Sequence, residues 1–101
     1  MDTDEIIAHS RARFDHAAAR RTLRERYQAR LVFGYRGGMF RAAPDMITLL
    51  SMYGDQDIVI QDLYENPVQV NSSELLDIMR GRWQEQMTAW LIEHDQLNQQ
   101  R

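Results

Sequence analysis

The sequence predicts a mainly β protein with flanking helices: a five-stranded antiparallel barrel between two long terminal helices. Between residues 31 and 71, short extended runs alternate with two- or three-residue turn segments, which join antiparallel neighbours. Helix-forming residues precede this region without Gly or Pro, and apolar residues follow it at helical spacing. We therefore predict one domain over residues 1–101, with a helix at 3–30, the barrel at 31–71 and a helix at 72–98.

Composition and charge exclude several classes of protein. There is no cysteine, which rules out disulfides and thiolate metal sites and favours a cytoplasmic location. No apolar run is long enough to span a bilayer, so we predict no membrane contact. The net charge of −3 is uneven, because residues 1–50 hold nine arginines and six acids, whereas residues 51–101 hold three arginines and nine acids. Any contact with a polyanion must therefore use the N-terminal half.

The N-terminal helix has two apolar faces instead of one. Asp2 can cap it, with Glu5 completing a capping box. Ile7, Phe14 and Ala18 share one face, but Leu23 and Tyr27 lie on nearly the opposite one. Either the helix breaks near Arg20-Arg21, or its two halves pack against different partners.

Three arginines of this helix, Arg13, Arg20 and Arg24, lie on one face with Ala17 between them. Such a face is either solvated or follows the phosphates of a nucleic acid, and the spacing alone is compatible with both.

Five runs are predicted as strands, and turn residues separate them. Gly37-Gly38 is expected to form the first hairpin loop. Met46–Tyr53 can begin as a helix at Pro44, but we predict a strand because β-rich neighbours flank it. The predicted strands are Leu31–Arg36, Met39–Ala43, Met46–Tyr53, Asp57–Leu63 and Pro67–Asn71.

The C-terminal helix is predicted from its cap and its apolar stripe. Asn71 can cap the helix and Glu74 lies three residues later. At roughly 40 Å the helix is longer than a small barrel is wide, so its face must also meet the N-terminal helix or another copy. The stripe comprises Leu76, Met79, Trp83, Met87, Trp90, His94 and Leu97.

The residues offer little sign of catalysis. His9 and His16 lie two helical turns apart, about 10 Å, too far to share a metal by themselves. His94 falls within the apolar stripe and is expected to be packed or exposed at the edge of the stripe, not catalytic. No metal-ligand spacing, P-loop or nucleophile with an adjacent base occurs. We therefore predict a protein that is not an enzyme and uses no metal and no cofactor.

The order of a helix followed by five tightly connected antiparallel strands resembles the Sm/LSm-like family, whose barrels are SH3-like. The resemblance covers about residues 20–71. It implies a homo-oligomeric ring of about five to seven copies, closed by strand pairing between neighbours. It also implies an RNA pocket formed by the loops at Ala43-Pro44-Asp45 and Tyr64-Glu65-Asn66. There Tyr64 would stack on a base and Asn66 would read its edge.

Together these features predict a ring-forming module that binds single-stranded RNA. Phosphates would lie on Arg13, Arg20 and Arg24, and a base on Tyr64 and Asn66. The chain as a whole also looks like small proteins of T4-like cyanophages, which would place it in the host cytoplasm. The alternative function is therefore a phage structural or scaffolding protein that uses its helices for protein–protein contacts without nucleic acid.

Overall fold

A computed structural model describes residues 2–99, which form three helices and four strands. Helices make up 64% of these residues. In chain order the elements are α1 (Thr3–Ala29), β1 (Val32–Tyr35), β2 (Gly38–Arg41), α2 (Pro44–Ser51), β3 (Asp57–Gln61), β4 (Pro67–Asn71) and α3 (Ser72–Gln99).

The predicted mainly β class and its five-stranded Sm-like, SH3-like barrel are wrong. Four strands form, and each pairs only within its own hairpin, so that β1–β2 and β3–β4 are separate two-stranded antiparallel sheets. The predicted third strand is helical and lies between the hairpins in the chain, so it cannot bridge them. The predicted ring depends on the strand edges of a barrel, and residues 2–99 contain no barrel.

The segment predicted as the third strand is the helix α2. Pro44 occupies the start of the helix, where its fixed φ is favourable, and the Thr48 hydroxyl donates to the Pro44 carbonyl at 2.9 Å. Burial is one-sided: Leu50 is buried, whereas Thr48 and Leu49 are exposed. A strand would need cover on both faces for this apolar run, whereas a short helix buries one face and leaves the other in water.

The first hairpin turns at Arg36 and Gly37, one residue earlier than predicted. Both have positive φ, 46° and 81°, as a two-residue hairpin turn requires. Gly38 is therefore the first residue of β2 and pairs with Tyr35. A Cβ at Gly38 would lie 2.8 Å from the Val68 side chain, so glycine permits the two hairpins to approach each other here.

Both long helices begin at the predicted caps. The Asp2 carboxylate accepts the N–H of Glu5 at 2.9 Å, and the Asn71 side-chain oxygen accepts the N–H of Glu74 at 2.9 Å. Beside the second cap, the buried Ser72 hydroxyl accepts the N–H of Gln56 at 3.1 Å. This contact ties the start of α3 to the loop between α2 and β3.

One core joins the hairpins, α2 and the first half of α3. Every residue of the predicted α3 stripe is at least half-buried, and Met79 is fully so. The aromatic rings of Phe33 and Phe40 pack with their centres 6.3 Å apart. The core consists of Leu31, Phe33, Tyr35, Phe40, Ala42, Leu50, Val70, Leu75 and Met79.

The molecule is strongly elongated, with extents of 66 × 24 × 19 Å. Its radius of gyration is 19.4 Å, whereas a compact domain of this length has about 13 Å. The reason is α1, in which the buried residues are Leu23 and Tyr27, both near its C-terminal end. The N-terminal half of α1 therefore extends beyond the core.

Replacing Met79 by alanine tests this core. Met79 has no exposed surface, so M79A leaves a cavity and lowers the free energy of unfolding by about 2–5 kcal/mol. Met52, which is 78% exposed, is the matched control, and M52A changes stability by less than about 0.5 kcal/mol. Urea unfolding measures both, and equal costs for the two variants would contradict the core assignment.

Asp62 gives the fold a dependence on pH. Its carboxylate accepts the backbone N–H groups of Asn66, Met39 and Tyr64 at 2.9, 3.1 and 3.0 Å, and these bonds lower its pKa from the ordinary 3.8. The stabilisation that these bonds give the folded state is complete above pH 3.8. It is lost as the pH falls through the lower pKa that Asp62 has in the folded protein. D62N therefore lowers the melting temperature at neutral pH. The difference in melting temperature between D62N and wild type becomes smaller in acid. D77N, at an exposed carboxylate, is the control; a D62N deficit that is constant with pH would contradict this role.

Candidate functional site

The antiparallel contact between α1 and α3 is built around Tyr27. Its hydroxyl donates a hydrogen bond to the Glu93 carboxylate, and Arg26 lies 3.6 Å from the same carboxylate. The Arg30 guanidinium lies 4.7 Å from the centre of the Tyr27 ring. The hydrogen bond to Glu93 and the burial of the phenol raise the pKa of Tyr27 above 10.0. These contacts fix which side chains of the two helices face each other.

A surface depression lies along one side of this contact. From α1 it is lined by Arg20, Arg21 and Arg24, and from α3 by Trp90 and His94. The His94 imidazole is also 3.8 Å from the Asp95 carboxylate, on the outer side of α3. An indole ring therefore lies beside a row of guanidinium groups.

A second depression adjoins the first at Trp90, which lines both. Its floor is apolar and includes Leu31, Trp83 and Met87, and its polar rim includes Gln28 and Arg41. Trp83 and Trp90 are two helical turns apart on α3, about 10 Å along its axis. We call these two joined depressions the arginine–tryptophan groove.

The charge of the groove differs from that of the whole protein. Four arginines line it, and among the residues that the structure describes no carboxylate does. A third depression shares Arg41 and Ala43 with it but also contains Asp45 and Asp62. The groove is therefore cationic and aromatic, and Asp45 and Asp62 lie in the neighbouring depression beyond Arg41, although the chain carries a net charge of −3.

The structure brings together some of the predicted site residues and separates others. Arg20 and Arg24 line the groove, whereas Arg13 is exposed farther along α1 and does not. Tyr64 and Asn66 lie in the turn between β3 and β4 and do not line it either. Asn66 uses its backbone N–H to bind Asp62, and the Tyr64 side chain is 67% exposed.

Sequence reasoning missed the tryptophans and two of the arginines of the groove. The α3 stripe placed Trp83 and Trp90 on one helix face. The sequence pattern of such a stripe does not distinguish a face packed in the core from the wall of a groove. No sequence pattern indicated that Arg21 and Arg41 belong to the site. They line the groove because of where α1 and the end of β2 lie in the folded protein.

Within residues 2–99 no group of three or more His, Cys, Asp or Glu side chains is placed to hold a metal ion. No helix in that range is long and apolar enough to cross a membrane. Comparisons of the chain with known protein families, curated proteins and solved structures found no match.

Proposed function

We propose that the protein binds single-stranded nucleic acid, RNA in the first instance, in the arginine–tryptophan groove and without catalysis. The observation that carries this proposal is the combination of four arginines and two tryptophans along one groove with no carboxylate among its described lining residues. In an acidic protein, such a segregated cationic surface favours a polyanionic ligand.

The chemistry of the lining favours a single strand over a duplex. Guanidinium groups pair with phosphates through charge-assisted hydrogen bonds, and indole rings stack on unpaired bases. In a duplex the bases are stacked on each other and cannot reach Trp83 or Trp90. Arg13 lies on the same side of α1 as Arg20 and Arg24, so it extends the row of arginines past the end of the groove.

A different observation favours a second function, which is assembly through the helices without nucleic acid. Several large apolar side chains are exposed on α1 and α3, and exposed apolar groups in such number are typical of protein–protein contacts. They are Ile6, Ile7 and Phe14 on α1, and Leu91 and Ile92 on α3.

Titration of a fluorescently labelled single-stranded RNA at low salt tests the first function. We expect binding to quench the tryptophan fluorescence, because both tryptophans of the chain line the groove. R24A should weaken binding and lower the slope of log affinity against log salt by about 0.7. W90L should weaken binding roughly five- to hundredfold through lost stacking.

The exposed Arg80 lies outside the groove, and R80A is the charge-matched control. Single-stranded DNA and duplex RNA of the same sequence are the comparison ligands. Equal effects of R24A and R80A would contradict binding in this groove. Absence of binding to any single strand at low salt would eliminate the proposal and leave assembly as the function.

A further inference from the structure

The second depression of the arginine–tryptophan groove has the form of a pocket for one flat, mostly apolar group. Its volume is about 330 Å³, at the lower end of the range for small-molecule sites. The floor consists of the buried Leu31 and the half-buried Trp83, Met87 and Trp90. Indole and thioether groups pack well against the face of another ring.

Two polar side chains lie at the rim of this pocket. Gln28 comes from α1 and Arg41 from the end of β2, and both residues are exposed. Within residues 2–99 the Arg41 guanidinium takes part in no ion pair. The guanidinium presents parallel N–H donors, and the Gln28 amide presents a donor beside an acceptor. A ligand that fills the pocket therefore meets hydrogen-bonding groups at its edge and apolar groups at its face.

We propose that this pocket binds a purine base of the single-stranded nucleic acid, and that Gln28 and Arg41 read the edge of the base. The inference rests on the proposed function of the groove and adds a preference among bases. Arginine forms a bidentate pair with N7 and O6 of guanine, and glutamine forms one with N7 and N6 of adenine. A pyrimidine has no such atom pair. In an unpaired strand these edges are open to side chains.

The absence of acidic groups from the pocket also favours a purine. Carboxylates read cytosine, because they accept a hydrogen bond from its amino group. Among the described residues that line the pocket there is no carboxylate. The pocket therefore has the groups that pair with guanine and adenine and lacks the group that pairs with cytosine.

The charges on either side of the pocket indicate where the rest of the strand lies. On the far side of Trp90, Arg20 and Arg24 can pair with the phosphates that adjoin the bound base. The depression on the opposite side of the pocket contains Asp45 and Asp62, whose negative charges repel phosphate. The strand therefore reaches the pocket from the arginine side, and the purine lies at the end of the bound segment.

Competition binding with uridine oligomers of about twelve nucleotides tests the preference. Each oligomer is all uridine or carries one adenine, guanine or cytosine. Wild type should bind the oligomers with a purine about five- to hundredfold more tightly than the other two. Equal affinity for all four oligomers would overturn the purine pocket and leave binding in the groove intact. Absence of binding to any of them at low salt would overturn both.

Base analogues separate reading of the edge from the stronger stacking of a larger ring. In 7-deazaadenine and 7-deazaguanine a C–H group replaces N7, whereas the ring system keeps its size. Oligomers with these analogues should lose most of the advantage over uridine, because the bidentate pair needs the N7 acceptor. Analogues that bind as tightly as the natural purines would overturn the inference.

Two variants assign the reading to the rim residues. Q28M removes the amide without a change of charge and should lower the ratio of adenine to uridine affinity. R41M removes one charge, which weakens all oligomers alike, so its readout is the ratio of guanine to uridine affinity. The exposed Gln69 and Arg80 lie outside the groove, and Q69M and R80M are the matched controls. Base preferences in Q28M and R41M equal to those of the controls would overturn the inference.

Discussion

The packing of α1 on α3 around Tyr27 is the interaction on which the other features of the molecule depend. Tyr27 and Leu23 are the buried residues of α1, and Glu93 binds both the Tyr27 hydroxyl and Arg26. This contact sets the rotation of α1 about its own axis. It therefore decides that Arg20 and Arg24 lie beside Trp90, and that Ile7 and Phe14 face away from the core.

A single helix thus serves two surfaces because its faces are separated by rotation. The arginine face forms one wall of the arginine–tryptophan groove, and the exposed Ile7 and Phe14 lie on a different face of the same helix.

The sequence predicted local structure better than tertiary structure. The capping residues Asp2 and Asn71 and the helical spacing of the α3 stripe are local signals, and the helices begin where these residues place them. The prediction of a strand over Met46–Tyr53 was wrong, because a short apolar run is compatible with both a strand and a helix. The barrel depended on that strand. Arg20 and Arg24 were predicted from one helix face, whereas the role of Trp90 depends on its position beside another helix.

Hydrogen exchange along α1, measured in dilute and in concentrated protein, tests most directly whether α3 docks only the C-terminal half of this helix. We expect the amides of residues 20–29 to be protected at both concentrations, because they lie in the docked half. The amides of residues 7–17 should exchange quickly, because the buried residues of α1 lie in its C-terminal half. Equal protection of both halves in dilute protein, or rapid exchange of residues 20–29, would contradict this account.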